Sequence, residues 1–235
     1  MSGGDFPAAV AALQRAGGDG DLCEPFLSVF PVRHAAISTL GDPFGSETVT
    51  ASGAPAARWD EIQIDLGEGP AWEAMRSHVP VLEPRLQTSG SARWPIALMA
   101  MRETHVGSVF AFPMHVGALS IGAVDMYDRN AVTFPAAAVQ YASVMTDLVA
   151  RFVLRRALLR AESADPVQEQ EAGRYSRRAV HQASGMLAAQ AGVTVDDALL
   201  LLRAFAYTAD RSVQGLSSDI VTRRIDLPDH DTFNS

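Results

Sequence analysis

The chain has 235 residues, of which 48% are hydrophobic and 20% charged, and it carries a formal net charge of −8. That composition fits a globular protein of one large or two small domains. It argues against a surface built throughout for nucleic acid. No apolar run reads as the ~20 residues of a membrane span, the opening residues lack the basic region and apolar core of a signal peptide, and the single cysteine, Cys23, closes no internal disulfide. These features predict a cytoplasmic protein with no membrane partner. Every basic residue is an arginine. Between Pro166 and Ile225 arginines outnumber acids, seven to six, while the rest of the chain is acidic in balance.

In chain order, a short helix is expected from Phe6 to Arg15, stopped by Gly17 and Gly18. Asp21 is placed to cap a second one that ends before Pro31. Strands are expected at His34–Leu40 and Glu47–Ala51, around the turn Gly41–Gly45. Arg58–Leu66 reads as a helix. The break Gly67-Glu-Gly-Pro70 follows, with Pro70 suited to the first turn of the next helix, to about Ser77. Val79–Leu82 reads as a short strand and Trp94–Met101 as a helix. Ser108–Val116 and Leu119–Tyr127 are strands separated only by Gly117 and Ala118, the spacing of an antiparallel hairpin. After Phe134-Pro135 a long helix runs to about Ala161, with Tyr141, Val144, Met145, Leu148 and Phe152 as its apolar stripe. Asp165-Pro166 is placed to kink or restart it.

Three short amphipathic helices complete the pattern. The first carries Val180, Ala183 and Leu187 on one stripe, with Met186 beside it. Thr194 and Asp197 have the spacing of a capping box. The second helix has Ala198, Leu201, Leu202 and Phe205 as its buried stripe, which leaves Arg203, Ala206 and Tyr207 on other faces. Ser212 is placed to cap a third helix bearing Val213, Leu216 and Ile220, although Gly215 weakens that start by about 1 kcal/mol, which leaves Ser217 as an alternative first residue. Leu227 onward reads as a frayed tail. Three helices of this size bury little surface alone. The stripe beginning at Tyr141 offers a seam for parallel long helices, hence a homodimer.

Two resemblances follow from these residues. Leu66–Ala74 (LGEGPAWEA) and Ser120–Tyr127 (SIGAVDMY), in this element order, resemble a GAF domain over about 5–156. The resemblance implies a central antiparallel sheet with helices on both faces. Residues 176–225 resemble the ANTAR family of RNA-binding transcription antiterminators. Ser176-Arg177 and Val180 match the start of its first helix, and Ala183 and Gly185 match its Ala-x-Gly signature. Asp197-Ala198, Leu202-Arg203 and Ala206 match the second helix, and Arg211, Val213 and Ile220-Val221 the third. Two positions depart. Ser184 stands where the family usually has lysine, which removes one possible phosphate contact, and Ser217 stands where it usually has alanine. GAF followed by ANTAR is a known actinobacterial arrangement.

The expected fold class is therefore α+β: a GAF-like sensor domain (5–156), a helical linker (157–175), an ANTAR three-helix bundle (166–226) and a tail (227–235). The resemblance implies a regulator that binds RNA hairpins in leader transcripts as a dimer. Candidate RNA-binding residues are Arg177, Arg178, Ala183, Gly185, Arg203, Ala206, Tyr207 and Arg211. Arg223 and Arg224 join the arginines for which phosphate contact competes with plain solvation. Tyr207 suits either base stacking or a dimer face, and Gly185 either a contact point or helix packing. A small-molecule ligand of the GAF-like domain is expected but not identified. Asp125 and Tyr127 alternate with Val124 and Met126, so one pair faces inward. His105 and His115 are candidates to line a pocket, even for haem. The histidines and Cys23 show no metal-site spacing. Gly67 and Gly69 lack the rest of a phosphate loop, and no nucleophile–base set points to an enzyme. Two other readings fit the same helices: a DNA-binding transcription factor, and a ligand-sensing signalling or scaffold protein with no nucleic-acid role.

Overall fold

The two longest strand patterns in the sequence find each other. In the computed structural model, which describes residues 5–17, 20–88, 93–163, 174–209, 211 and 213–225, β4 (Ser108–Val116) and β5 (Leu119–Asp128) form an antiparallel hairpin. Gly117 turns it with a φ of +60°, in the left-handed region that tight hairpins favour. β1 (His34–Thr39) pairs with β5, β2 (Glu47–Ala51) with β1, and β3 (Val81–Glu83) with β4, all antiparallel. The sheet order is β2-β1-β5-β4-β3.

Helices cover both faces, and the two-residue period of the strands assigns each side chain to one of them. Ile37, Phe110, Phe112, Val124 and Met126 face α1 (Asp5–Ala16), α2 (Glu24–Val29) and α6 (Ala136–Ser163). Ala36, Val109, Ala111 and Tyr127 face α3 (Ala54–Leu66), α4 (Pro70–Ser77) and α5 (Pro95–Glu103). With both faces covered, Val124/Met126 and Asp125/Tyr127 are all buried. This corrects the expectation that only one pair points inward.

Some boundaries differ from the sequence reading. α3 starts at Ala54, ahead of Arg58, because Gly53 releases the chain and Pro55 suits the first turn. β3 spans residues 81–83 because pairing with Ala111, Phe110 and Val109 of β4 defines it. A short 3-10 turn at Leu86–Thr88 adds an element that the sequence pattern does not signal.

The inner stripe of α6 is Ala138, Ala142, Met145, Val149 and Val153. It is offset from the expected stripe, of which only Met145 is fully buried and Val144 is 49% exposed. Alanines let the helix lie close on the sheet, so the bulkiest residues mark its flank instead of its contact line. Tyr141 on that flank stacks on Phe6 with ring centroids 4.2 Å apart. The stretch Ala136–Leu159 also has the length and mean hydropathy of a membrane span, which the sequence reading denies to every segment. Its inner side packs on the sheet.

The chain divides into two compact units, Met1–Ala161 and Glu162–Ser235. In the second unit α7 (Arg174–Ala191), α8 (Val195–Thr208) and α9 (Val213–Val221) enclose a core of Ala183, Leu187, Ala198, Leu202, Ala206, Val213, Leu216 and Ile220. The backbone N–H of Asp197 donates to Thr194 Oγ1 at 3.1 Å, the cap expected for α8. The buried stripe of α8 is 198–202–206, which takes in Ala206 and leaves Leu201 and Phe205 half-buried. α9 begins at Val213, the earlier of the two starts that the sequence allows. Burial of Val213 and Leu216 outweighs the propensity cost of Gly215. Ser217 is fully buried and donates to the Val213 carbonyl at 2.6 Å, so it stands in the packing position of an alanine with its hydroxyl satisfied. The Asp165-Pro166 kink, the Ser212 cap and the 227–235 tail fall outside the described residues.

Candidate functional site

In the first unit, polar chemistry concentrates where α3 crosses β1 and β5. Asp60 is fully buried and accepts hydrogen bonds from Ser38 Oγ at 2.9 Å and Thr48 Oγ1 at 2.5 Å. Gln63, one turn on, ties three elements together. Its Nε2 donates to Asp125 Oδ2, its Oε1 accepts from the Ala71 N–H at 2.9 Å, and its carbonyl accepts from Trp72 Nε1 at 2.8 Å. Gly69 is required beneath this bridge, because a Cβ there would lie 2.6 Å from Gln63 Oε1. With Gly67 at a φ of +67° ending α3, the Gly67–Gly69 segment is a helix break, as expected.

Asp125 Oδ1 has no hydrogen-bond partner. Burial, and then the charge of Asp60, push the Asp125 carboxyl up to about 8. Burial pushes Asp60 up to about 6, against the hydrogen bonds from Thr48 and Ser38. Asp125 is therefore largely neutral at pH 7 and Asp60 largely charged, because two buried like charges resist ionising together. The sequence holds one signal for this, the i,i+3 spacing of Asp60 and Gln63 on a single face of α3.

A cavity of about 90 Å³ opens at one end of α3, with His34, Arg58, Trp59, Thr104, Tyr127 and Arg129 among its lining residues. Its aromatic wall is continuous. The Tyr127 ring lies 5.1 Å from His34, stacked, and 5.3 Å from Trp59, tilted. Burial pushes the His34 imidazole down, towards its neutral form. The Tyr127 hydroxyl is buried without a partner, and burial pushes its ionisation further up. Neither His105 nor His115, the two histidine candidates for a pocket wall, lines this cavity.

His115 instead meets His78, with ring centroids 5.3 Å apart, and His78 Nε2 lies 3.0 Å from Ser120 Oγ. Among the described residues no group of three or more His, Cys, Asp or Glu side chains is placed to hold a metal. Cys23 is a core residue, and burial pushes its thiol up to about 12. That suppresses thiolate chemistry.

In the second unit the sequence candidates separate into two groups. Ala183 and Ala206 lie in the bundle core at 0% and 1% exposure. They serve helix packing and are out of a ligand's reach in this fold. Ser184 is buried with its hydroxyl unpartnered, so position 184 faces the bundle and not a phosphate. Gly185 is half-buried with open space around it, and an added Cβ would meet nothing within 4 Å. No close approach inside this unit requires that glycine. Arg203 is half-buried. Arg211 Nη2 donates to Asp219 Oδ2 at 2.5 Å, and Arg224 Nη1 lies 3.6 Å from Asp219 Oδ1. The Arg211 hydrogen bond holds the Asp219 carboxyl below its usual range. Arg223 is exposed beside them. The fold thus brings Arg211 and Arg224 to one carboxylate at the end of α9, with exposed Arg223 next to Arg224 in the chain. The side chains of Arg177, Arg178 and Tyr207 lie outside the described residues.

Comparison with known proteins defines the first unit. The chain is similar to the GAF domain of a phosphoenolpyruvate-protein phosphotransferase from Coxiella burnetii, with a TM-score of 0.52 and 9% identity, covering 68% of this chain and 99% of that one. It is similar as well to a GAF domain region from Geobacter sulfurreducens PCA (TM-score 0.47, 18% identity, 64% and 98% covered). A further likeness is to a type II free methionine-R-sulfoxide reductase from Thermoplasma acidophilum (TM-score 0.44, 17% identity, 64% and 95% covered). The first unit has the fold of a GAF domain. No family model and no curated protein sequence matches the chain.

Proposed function

We propose that the protein is a signal-responsive regulator in which a GAF-fold sensor domain governs a C-terminal three-helix module that binds hairpin RNA and acts in transcription antitermination. The observation that carries the RNA half is the arginine pair at the end of α9, where the Arg211 and Arg224 guanidinium groups meet at the carboxylate of Asp219, with Arg223 exposed next to Arg224 in the chain. Among the described residues of that cluster the guanidinium groups outnumber the carboxylate. Guanidinium groups bind phosphate through paired donors, and RNA hairpins present phosphates on a curved, compact surface. Ala183, Ala198, Leu202, Ala206, Val213 and Ile220 of the bundle core stand at positions where residues 176–225 resemble the ANTAR family, which supports the same reading. On this reading no catalysis is required. The RNA switches between alternative pairings, and the protein shifts the balance by binding one of them.

The test is fluorescence anisotropy of the full chain with a labelled two-hairpin leader RNA, titrated with salt and competed with duplex DNA. Hairpin-selective, salt-dependent binding is expected. An Arg223→Ala/Arg224→Ala double variant, altered only on the surface, is expected to flatten the log–log salt slope by about 1 to 2. Equal competition by duplex DNA would favour a DNA-binding factor. Binding unchanged in the double variant would remove the α9 arginines from the interface.

A further inference from the structure

We propose that the cavity beside Trp59 and Tyr127 binds a small aliphatic carboxylate, with its hydrocarbon end against the two rings and its charge towards Arg129 and Arg58. This deepens the sensing half of the function proposed above and rests on it.

Size is the first constraint. A cavity of about 90 Å³ equals roughly three waters at ~30 Å³ each, which suits an acid of about two to four carbons. A nucleotide or a tetrapyrrole exceeds it several-fold. The walls come next. Trp59 and Tyr127 are 1% and 2% exposed and meet at 5.3 Å, so the inner surface is apolar and rigid. The Tyr127 hydroxyl has no partner within this wall. A buried hydroxyl left unpaired carries a free-energy cost that a ligand oxygen relieves by accepting its hydrogen bond.

Charge at the mouth selects the sign of the ligand. Arg58 and Arg129 line the cavity and are exposed at its rim. Of the nearby carboxylates, Glu61 lies 3.7 Å from Arg58 and shares its charge, which makes Arg129 the principal cation of the mouth, and Asp128 pairs with Arg33 at 3.6 Å while accepting from Asn130. Asp60, the deeper acid, is held by Ser38 and Thr48, and Asp125 by Gln63. A cationic ligand would have to displace the arginines. A neutral one would leave the Arg129 guanidinium and the Tyr127 hydroxyl without the charged acceptor that suits them.

The experiment is isothermal titration calorimetry of the full chain with propionate, and with propionamide as the neutral isostere. Saturable one-to-one binding of propionate is expected, with propionamide about tenfold weaker or worse. Arg129→Gln, a change on an exposed side chain, is expected to weaken propionate by a similar factor and to leave propionamide unaffected. Tyr127→Phe keeps the ring and is expected to weaken propionate as well. Equal binding of acid and amide would overturn the proposal, as would no saturable heat from acetate, propionate or butyrate up to about 10 mM. Arg129→Gln binding as tightly as the unaltered chain would also refute it. Hairpin-RNA binding is measured independently, so carboxylate failure with RNA binding intact removes this site and leaves the regulatory reading standing.

Discussion

Replacing Asp125 with asparagine tests the buried acid pair directly. The Asp125 carboxyl is raised from 3.8 to about 8 by burial and by Asp60. A carboxyl raised in the folded state contributes its full stability below pH 3.8, and that contribution is lost as pH rises through about 8. Four units at 1.36 kcal/mol each set an upper bound of about 5 kcal/mol. Relaxation and water entry around the charged form reduce this, and about 3 kcal/mol is the expected loss between pH 4 and pH 9. The side-chain amide introduced by Asp125→Asn keeps an acceptor for Gln63 and never ionises, so that variant should retain this increment. Asp60, raised to about 6, adds a decline between pH 3.8 and 6 to both proteins. Urea unfolding followed by tryptophan fluorescence between pH 4 and 9 measures the difference. All three tryptophans, Trp59, Trp72 and Trp94, lie in the first unit and report it selectively. Asp125→Asn should match the unaltered chain near pH 4, exceed it increasingly as pH rises to about 8, and hold a constant advantage above that. Parallel profiles, or a variant that falls behind as pH rises, would refute the account of a buried carboxyl disfavoured by desolvation.

Two glycines are predicted to behave oppositely. Gly122→Ala places a Cβ 1.9 Å from the Ser38 carbonyl oxygen and 2.8 Å from Thr39 Cα, so β1 and β5 must separate, and a loss of about 3 kcal/mol or more is expected in urea unfolding. Gly185→Ala meets open space within α7 and is expected to stabilise the second unit by about 0.5–1 kcal/mol, read by far-UV circular dichroism melts. If RNA approaches α7 at that point, the same variant weakens hairpin binding while it raises the melting temperature.

Most of the elements are legible in the amino-acid sequence. Strand alternation and the Gly117 turn specify the β4–β5 hairpin, Thr194 and Asp197 specify the start of α8, and the Gly67–Gly69 break separates α3 from α4. These are local effects, set by residues within a few positions of one another. Interactions between distant segments lie beyond that reach. Asp125 reads as one polar residue on a strand until Gln63 and Asp60, some sixty residues earlier, arrive across the sheet. His78 and His115, or Arg211 and Arg224, look unrelated along the chain and meet only in the fold. Ala206 looks like surface by stripe counting but lies in the core, because α7 and α9 close over that side of α8. The α6 stripe is offset for the same reason: apolar bulk along one helix does not say which edge its neighbours will cover. Local propensity and period are encoded within a turn or two of chain. Burial, charge coupling and cavity shape depend on which distant segments pack together, and the folded arrangement alone decides that.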